Sequence, residues 1–202
     1  MVVNLRRFLG LSVIFMNAFR DACEVEARSM AELMPYLESK ALNGRVVLTA
    51  KGTLSKELQA CYGDLFLNDE NERIWAVEVK AEETARYGNL FLEEWSNRSC
   101  FTLGWLYKLS NETVLLYYFL DTKELYGCTM QSLKHWAFIY PNRLGTQGAI
   151  WEYQCKEQRK RNQLNDTWGR CVPVERLLRD NVIKALDVKE RKASQELVEV
   201  SF

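Results

Sequence analysis

The stretch GDLFLNDENERIWAVEVK, residues 63–80, decides how the chain around it can fold. Two apolar runs flank the polar residues 68–72, which favour a turn, so the pattern predicts a β-hairpin. The hairpin brings Asp64, before one strand, close to Glu78 and Lys80 on the other. Alternate side chains of a strand share a face, so Glu78 and Lys80 point the same way. The alternative is an amphipathic hairpin that simply exposes these charges to water.

A helix is predicted upstream of the hairpin, because apolar positions recur at helical spacing over residues 22–37. Glu26 falls at the edge of the apolar stripe of this helix. An acid at that position needs a partner, so Glu26 is a candidate site residue. The alternative is a Glu that reaches water or pairs with a neighbouring Arg.

The amino terminus permits two interpretations. Arg6 and Arg7 precede the apolar-leaning residues 8–19, a pattern that resembles the start of a signal peptide. Asn17 interrupts this stretch and no Ala-x-Ala cleavage site follows it. We therefore expect residues 8–19 to begin the predicted helix, with a processed segment as the alternative.

The apolar run VLLYYFL, residues 114–120, predicts a central strand covered on both faces. The surrounding pattern predicts an α/β fold with one central mixed sheet flanked by helices. The other predicted elements are a strand over 45–50, a short helix or polar connection over 53–61, strands over 90–96 and 168–174, an edge strand over 124–129, and helices over 130–139 and 175–186.

The length of 202 residues predicts a single domain. We expect its core over about residues 20–140 and a helical, basic C-terminal extension over about residues 141–202. Within that extension, Lys156, Arg159, Lys160 and Arg161 form a basic run. These side chains would contact phosphates, or they form a solvated face.

The composition excludes several classes of protein. Lys plus Arg and Asp plus Glu number 27 each, so no overall basic field attracts a polyanion. Six dispersed cysteines without a Cys-x-x-Cys pair, with His135 as the one histidine, argue against a zinc site. No apolar run reaches the length of a membrane span. We expect reduced thiols and a cytoplasmic protein, with a secreted, disulfide-bonded protein as the alternative.

The predicted cluster of Asp64, Glu78 and Lys80 suits the hydrolysis of a phosphate ester. Two carboxylates with room for water are typical ligands of Mg²⁺ or Mn²⁺, which take further ligands from substrate phosphate oxygens. Such a cation lowers the pKa of a bound water and polarises the phosphoryl group. Lys80 would orient the attacking water or stabilise the charge that builds on the phosphorane.

These residues resemble a known family. Asp64, then Glu78-Val79-Lys80, preceded by a helix that carries Glu26, are similar to the motif of the PD-(D/E)xK nuclease superfamily. A narrower likeness, to uncharacterised members often borne by phages and mobile elements, rests on Gln59, Gly63-Asp64, Gly88-Asn89, residues 90–93, Gly104-Trp105 and residues 116–118. The chain departs from the pattern at residues 110–113, which lack the expected Ala-Asp pair.

The resemblance implies a restriction-endonuclease-like fold and a metal-dependent nuclease. It implies that Asp64 and Glu78 bind Mg²⁺ or Mn²⁺, that Lys80 assists attack and that Glu26 is an auxiliary ligand. Glu93 and Gln59 would orient these groups without binding the metal themselves. The partner would be DNA, with RNA as an alternative, and a homodimer is compatible with the motif. The contrasting hypothesis is a catalytically silent nuclease fold used for DNA binding or assembly.

Overall fold

The computed structural model describes residues 5–48, 53–139, 148–152, 155–160 and 165–188. The described residues form an α/β fold with a six-stranded mixed sheet, a four-stranded antiparallel sheet and flanking helices. Strand order is β1-β2-β3-β6-β7-β10 in the larger sheet and β5-β4-β9-β8 in the smaller one. The strands are β1 (Val46–Leu48), β2 (Leu65–Asn68), β3 (Ile74–Glu82), β4 (Asn89–Asn97), β5 (Thr102–Leu103), β6 (Val114–Phe119), β7 (Glu124–Thr129), β8 (Glu157–Arg159), β9 (Trp168–Pro173) and β10 (Lys184–Leu186).

The helices lie around these sheets and are mostly short. They are α1 (Leu5–Lys40), α2 (Thr53–Tyr62), α3 (Trp105–Lys108), α4 (Met130–Lys134), α5 (Ala149–Glu152) and α6 (Val174–Arg179). A π-helical turn over His135–Ile139 continues α4, so the predicted helix over 130–139 is present with an irregular second half. Within the described ranges, no helix is long and apolar enough to cross a membrane.

The predicted hairpin and central strand are both present. Strands β2 and β3 pair antiparallel, with Leu65 opposite Val77. Strand β6 lies between β3, its parallel neighbour, and β7, its antiparallel neighbour. Alternation along β6 puts Leu115 and Tyr117 in one core cluster and Leu116 in another, so both faces of the strand are covered.

The first core cluster joins the two sheets, and the second joins the large sheet to α1. Leu90 and Leu92 of the small sheet pack in one cluster with β6 residues. On the opposite face, Leu33 and Leu37 of α1 pack against Val77 and other strand residues. The predicted amphipathic helix over 22–37 is confirmed as part of α1, whose burial follows the apolar stripe.

The prediction of one sheet was wrong, because β4 leaves the large sheet. It pairs with β9, with Leu90 opposite Val172, and glycine permits the contact. A Cβ on Gly169 would lie 2.2 Å from the carbonyl oxygen of Leu92, so a side chain has no room there. The face of β3 that carries Glu78 is consequently covered, and Glu78 is buried where the hairpin pattern suggested a wet face.

The C-terminal predictions need two corrections. The expected helix over 175–186 is α6 followed by β10, because Asn181 adopts a left-handed conformation (φ 55°) that ends the helix. Strand β10 pairs with β7, with Lys184 opposite Gly127, so β7 is an interior strand and not the predicted edge. The region predicted as a helical extension thus contributes strands to both sheets.

Candidate active site

A cleft of about 910 Å³ opens beside β3. The cleft is lined by residues of α1, α2, β3, β4 and α3 and by Lys160. The predicted residues that the cleft brings together are Glu26, Gln59, Asp64, Glu78, Lys80, Glu93 and Lys160.

Gly63 fixes the place of Asp64. Its φ of +105° lies in the region that favours glycine, and an added Cβ would lie 2.7 Å from the carbonyl oxygen of Val77 and 2.9 Å from Cα of Glu78. The Asp64 N–H then donates to the Val77 carbonyl at 2.8 Å. The chain therefore turns directly against β3, at the level of Glu78.

The Asp64 carboxylate is held at both oxygens. Gln59 Nε2 donates to Oδ1 at 2.8 Å, and the backbone N–H of Val79 donates to Oδ2 at 2.9 Å. Carboxylate oxygens have further lone pairs, so both remain able to bind a cation. Gln59 was predicted to support the site, and it contacts Asp64 directly.

The segment over residues 110–113, where the chain departs from the family pattern, anchors the end of α2. The Ser110 N–H donates to the Cys61 carbonyl at 2.6 Å, and Thr113 Oγ1 donates to the Tyr62 carbonyl at 3.2 Å. Because Gln59 and Gly63 flank these two carbonyls in the sequence, the segment helps to hold the support of Asp64 in place.

Glu78 and Lys80 form an ion pair on β3, between Glu78 Oε1 and Lys80 Nζ. Glu78 is 4% exposed, whereas the Lys80 side chain is 33% exposed. Burial raises the pKa of Glu78 to about 7; Lys80 opposes the rise, and the charges of Asp64 and Glu26 add to it. Burial lowers the pKa of Lys80, but the charges of Glu78 and Asp64 outweigh it and leave that pKa raised, so Lys80 is an ammonium.

Glu93 faces the same cleft from β4. Burial raises the pKa of its carboxyl, and the charges of Lys80, Lys160 and Lys108 oppose the rise, as does the backbone N–H of Trp105. A Cβ on Gly104 would lie 2.3 Å from the Glu93 carbonyl oxygen, so the Gly104-Trp105 pair packs directly on Glu93.

Glu26 lies on α1 at the rim of the cleft and is exposed. Its charge contributes to the raised pKa of Glu78, which places the two acids in one electrostatic environment. The helix is held to the large sheet by Glu32, which accepts from Tyr118 Oη at 2.7 Å and pairs with Lys123 at 2.7 Å.

Glu82 is a cleft residue that our sequence interpretation missed. Its Oε1 accepts from Tyr117 Oη at 3.0 Å and from Lys160 Nζ at 3.0 Å. The sequence did contain a signal, since Glu82 follows Glu78 and Lys80 at the two-residue spacing of one strand face. Lys108, also missed, lines the cleft from the last position of α3.

The basic run does not act as a unit in the structure. Lys160 lines the cleft, whereas Arg159 Nε pairs with Asp166 at 3.1 Å outside its lining. Lys156 is exposed and also lies outside the lining. Arg161 falls outside the described residues.

The residues of the cleft fit a divalent cation by their chemistry. Its lining contains six acids and three lysines. Burial raises the pKa of Glu78, and the charges of Asp64 and Glu26 add to the rise. Asp64 and Glu78 offer hard oxygen donors of the kind that Mg²⁺ and Mn²⁺ take. Among the described residues, no three His, Cys, Asp or Glu side chains are already gathered as a complete metal cage. Mg²⁺ does not require one, because it keeps waters and substrate oxygens as ligands.

The six cysteines, all within the described ranges, are free thiols. Comparison of the chain with protein-family models, with curated proteins and with solved structures found no match.

Proposed function

We propose that this protein is a metal-dependent nuclease with a restriction-endonuclease-like core, which hydrolyses phosphodiester bonds in DNA. The observation that carries the proposal is the oriented Asp64 carboxylate beside the ion pair of the buried Glu78 with Lys80, in an open cleft. The supporting element of the fold is the β2–β3 hairpin with β6 parallel to β3.

Asp64 and Glu78 would hold Mg²⁺ or Mn²⁺. When bound, the cation lowers the pKa of a water and offsets the charge of the phosphate. Gln59 and the Val79 N–H keep the Asp64 oxygens in one orientation, so little reorganisation is needed when ligands arrive.

Lys80 would act on the phosphate itself. An ammonium has three N–H donors, and the ion pair with Glu78 occupies one of them. The remaining donors can reach a phosphate oxygen in the cleft and stabilise its growing negative charge. Glu78 therefore has two tasks, since it is a cation ligand and also fixes the Lys80 side chain.

The test is cleavage of labelled DNA and RNA, linear, branched and plasmid, with Mg²⁺, with Mn²⁺ and with EDTA. We expect metal-dependent cutting by the wild type and a loss of about 100-fold or more in Lys80→Ala and in Glu78→Gln, with thermal melting that shows both variants folded. Lys184→Ala and Glu112→Gln, exposed residues outside the cleft lining, are the matched controls and should cut normally.

Full activity in both cleft variants would contradict the proposal. Metal-independent binding of DNA with no cleavage under any of these conditions would favour a catalytically silent nuclease fold. Cleavage of RNA in preference to DNA would keep the reaction and change the substrate.

A further inference from the structure

The wall of the cleft formed by β4, α3 and Lys160 carries two lysines that the cleavage chemistry at Asp64, Glu78 and Lys80 does not use. They are Lys108, at the end of α3, and Lys160, which directly follows β8.

Lys160 is held by a network that reaches into the core. The Phe91 N–H donates to Tyr117 Oη at 3.1 Å, and Tyr117 Oη donates to Glu82 at 3.0 Å. Glu82 accepts from Lys160 Nζ at 3.0 Å, and the same ammonium lies 5.1 Å from the centre of the Phe91 ring. Tyr117 is 2% exposed, so this support is rigid, and the Lys160 ammonium is held by two groups, the Glu82 carboxylate and the Phe91 ring.

The network leaves part of the ammonium available. Glu82 takes one of the three N–H donors of Lys160, and the Lys160 side chain is still 32% exposed, with the residue lining the cleft. Lys160 therefore neutralises Glu82 and also presents N–H donors to the cleft.

Lys108 is placed by the packing of α3 on β4. The Gly104 N–H donates to the Glu94 carbonyl at 2.7 Å, and the Gly104 backbone lies against Glu93. Lys108 is exposed and lines the cleft, and within the described part of the chain no carboxylate lies at ion-pair distance from it. Its charge and that of Lys160 both lower the pKa of Glu93 on β4, so both ammonium groups lie near that carboxylate.

We propose that Lys160 and Lys108 form a phosphate subsite on this wall, which binds a backbone phosphate of a nucleic-acid strand next to the phosphate that is cut. The subsite rests on the proposed nuclease function for the identity of its ligand. Lys160 and Lys108 are positioning residues for the strand, whereas Arg159 and Lys156 of the same basic run are not part of the subsite. An ammonium is a point charge, so the subsite reads the backbone and not the sequence of bases.

The experiment measures binding of a labelled single strand and of the corresponding duplex by fluorescence anisotropy, over a range of KCl concentrations. Ca²⁺ replaces Mg²⁺, and a gel confirms that the strand stays intact. The variants are Lys160→Met and Lys108→Met, with Lys156→Met as the matched control, since it removes an exposed lysine four residues before Lys160 and outside the cleft. Lys160→Arg keeps the charge.

We expect each of the two cleft variants to weaken single-strand binding about tenfold. The slope of log K against log salt should fall by about 0.7 for each lost phosphate contact on a single strand and by about 0.9 on a duplex. Lys156→Met and Lys160→Arg should keep the wild-type slope. In cleavage assays, both methionine variants should raise KM more than they lower kcat.

Unchanged salt slopes in both methionine variants, with melting temperatures that show folded protein, would overturn the subsite. An equal fall of the slope in Lys156→Met would also overturn it, because the effect would then be one of general charge. Cleavage with unchanged KM in Lys160→Met and Lys108→Met would contradict the proposed subsite and would still support the proposed nuclease function. A fall in slope in both methionine variants, without any cleavage by the wild type, would support the proposed subsite and contradict the proposed nuclease function.

Discussion

Two ion pairs that each contain a buried glutamate, Glu78–Lys80 in the large sheet and Glu94–Arg170 in the small sheet, are built from similar groups and differ in their surroundings. Glu94 on β4 and Arg170 on β9 have side chains that are 6% and 5% exposed, at 3.1 Å from each other. Arg170 also donates to the Cys155 carbonyl at 2.6 Å. Burial raises the pKa of Glu94, and Arg170 opposes the rise.

The cleft pair has acids in excess. Asp64 and Glu26 add to the raised pKa of Glu78, with Lys80 as the opposing charge. For Glu94 the nearby charges include Glu157, which raises the pKa, and also Arg98, which lowers it together with Arg170. A pair with matched charges stabilises a sheet interface, whereas a pair with surplus negative charge has an affinity for an added cation. We expect this difference to appear as opposite responses to the same substitution.

The largest expected effect is on stability at Glu94. Glu94→Gln removes the buried carboxylate that pairs with Arg170 and should lower the free energy of unfolding by about 3–5 kcal/mol. Glu78→Gln should leave the metal-free protein as stable as the wild type or more so, because it removes a buried charge from an acidic cleft. Urea unfolding at pH 8 with EDTA measures both. Equal losses in the two variants would show that the cleft pair is structural as well.

The next effect is the pH dependence that Glu78 contributes. Its pKa is about 7 in the folded protein and lies near 4.5 in the unfolded chain, so the native state holds a proton that the unfolded state releases in that interval. The contribution to stability is therefore full below pH 4.5 and is lost as pH rises through 7, by up to about 3 kcal/mol.

Urea unfolding in EDTA at pH 5 and pH 8 tests this contribution, with Glu78→Gln as the comparison. All other carboxyl groups are common to both proteins, so their contributions largely cancel in the difference. The wild type should lose stability relative to Glu78→Gln on going to pH 8. A constant difference between the two proteins at both pH values would contradict the raised pKa.

A smaller effect is expected at Gly63, which sets the distance between Asp64 and the cleft pair. Gly63→Ala meets the β3 backbone, whereas Gly44→Ala, also at positive φ (+67°), has nothing within 4 Å of its Cβ. Both variants strain the backbone by about 1 kcal/mol. Gly63→Ala should cost about 2 kcal/mol more and should impair cleavage, because Asp64 is displaced. Thermal unfolding and cleavage rates measure these effects. Equal stability and activity in the two variants would show that Gly63 is not needed to position Asp64.

The smallest effect is expected at Gln59, whose side chain donates to the Asp64 carboxylate. Gln59→Leu should weaken Mn²⁺ binding about tenfold, since a support of a ligand is lost and the ligand itself remains. Titration followed by Mn²⁺ electron paramagnetic resonance measures the affinity without reliance on cleavage. Gln131→Leu, at an exposed position outside the cleft lining, is the control and should bind as the wild type does.

Local pattern was sufficient for the elements around the hairpin. Turn residues between two apolar runs predicted β2 and β3, and an unbroken apolar run predicted β6. The spacing of Glu78 and Lys80 placed them on one face, and the motif resemblance pointed to Gln59 and Glu93, which both line the cleft. These features depend on residues close to one another in the sequence, where periodicity carries information.

The pairing of strands that are distant in the chain could not be predicted from the sequence pattern. The β4–β9 and β7–β10 pairs join distant segments, and they determine that Glu78 is buried and that β7 is interior. Strand β10 has three residues, too few for a periodic pattern, so residues 175–186 resembled a single helix. Lys108 and the Glu82–Lys160 contact were missed for the same reason, because each depends on where a distant wall of the cleft is placed.

The pairing of β4 with β9 also determines when the molecule can form. During synthesis the ribosome releases β4 long before β9, so Leu90 and Leu92 await partners that are made much later. Contacts with large sequence separation slow folding and leave apolar strands exposed in the interval. Expression at reduced temperature or with chaperones should therefore improve the soluble yield. Deletions that end the chain before Trp168 should yield aggregates and not a smaller folded domain.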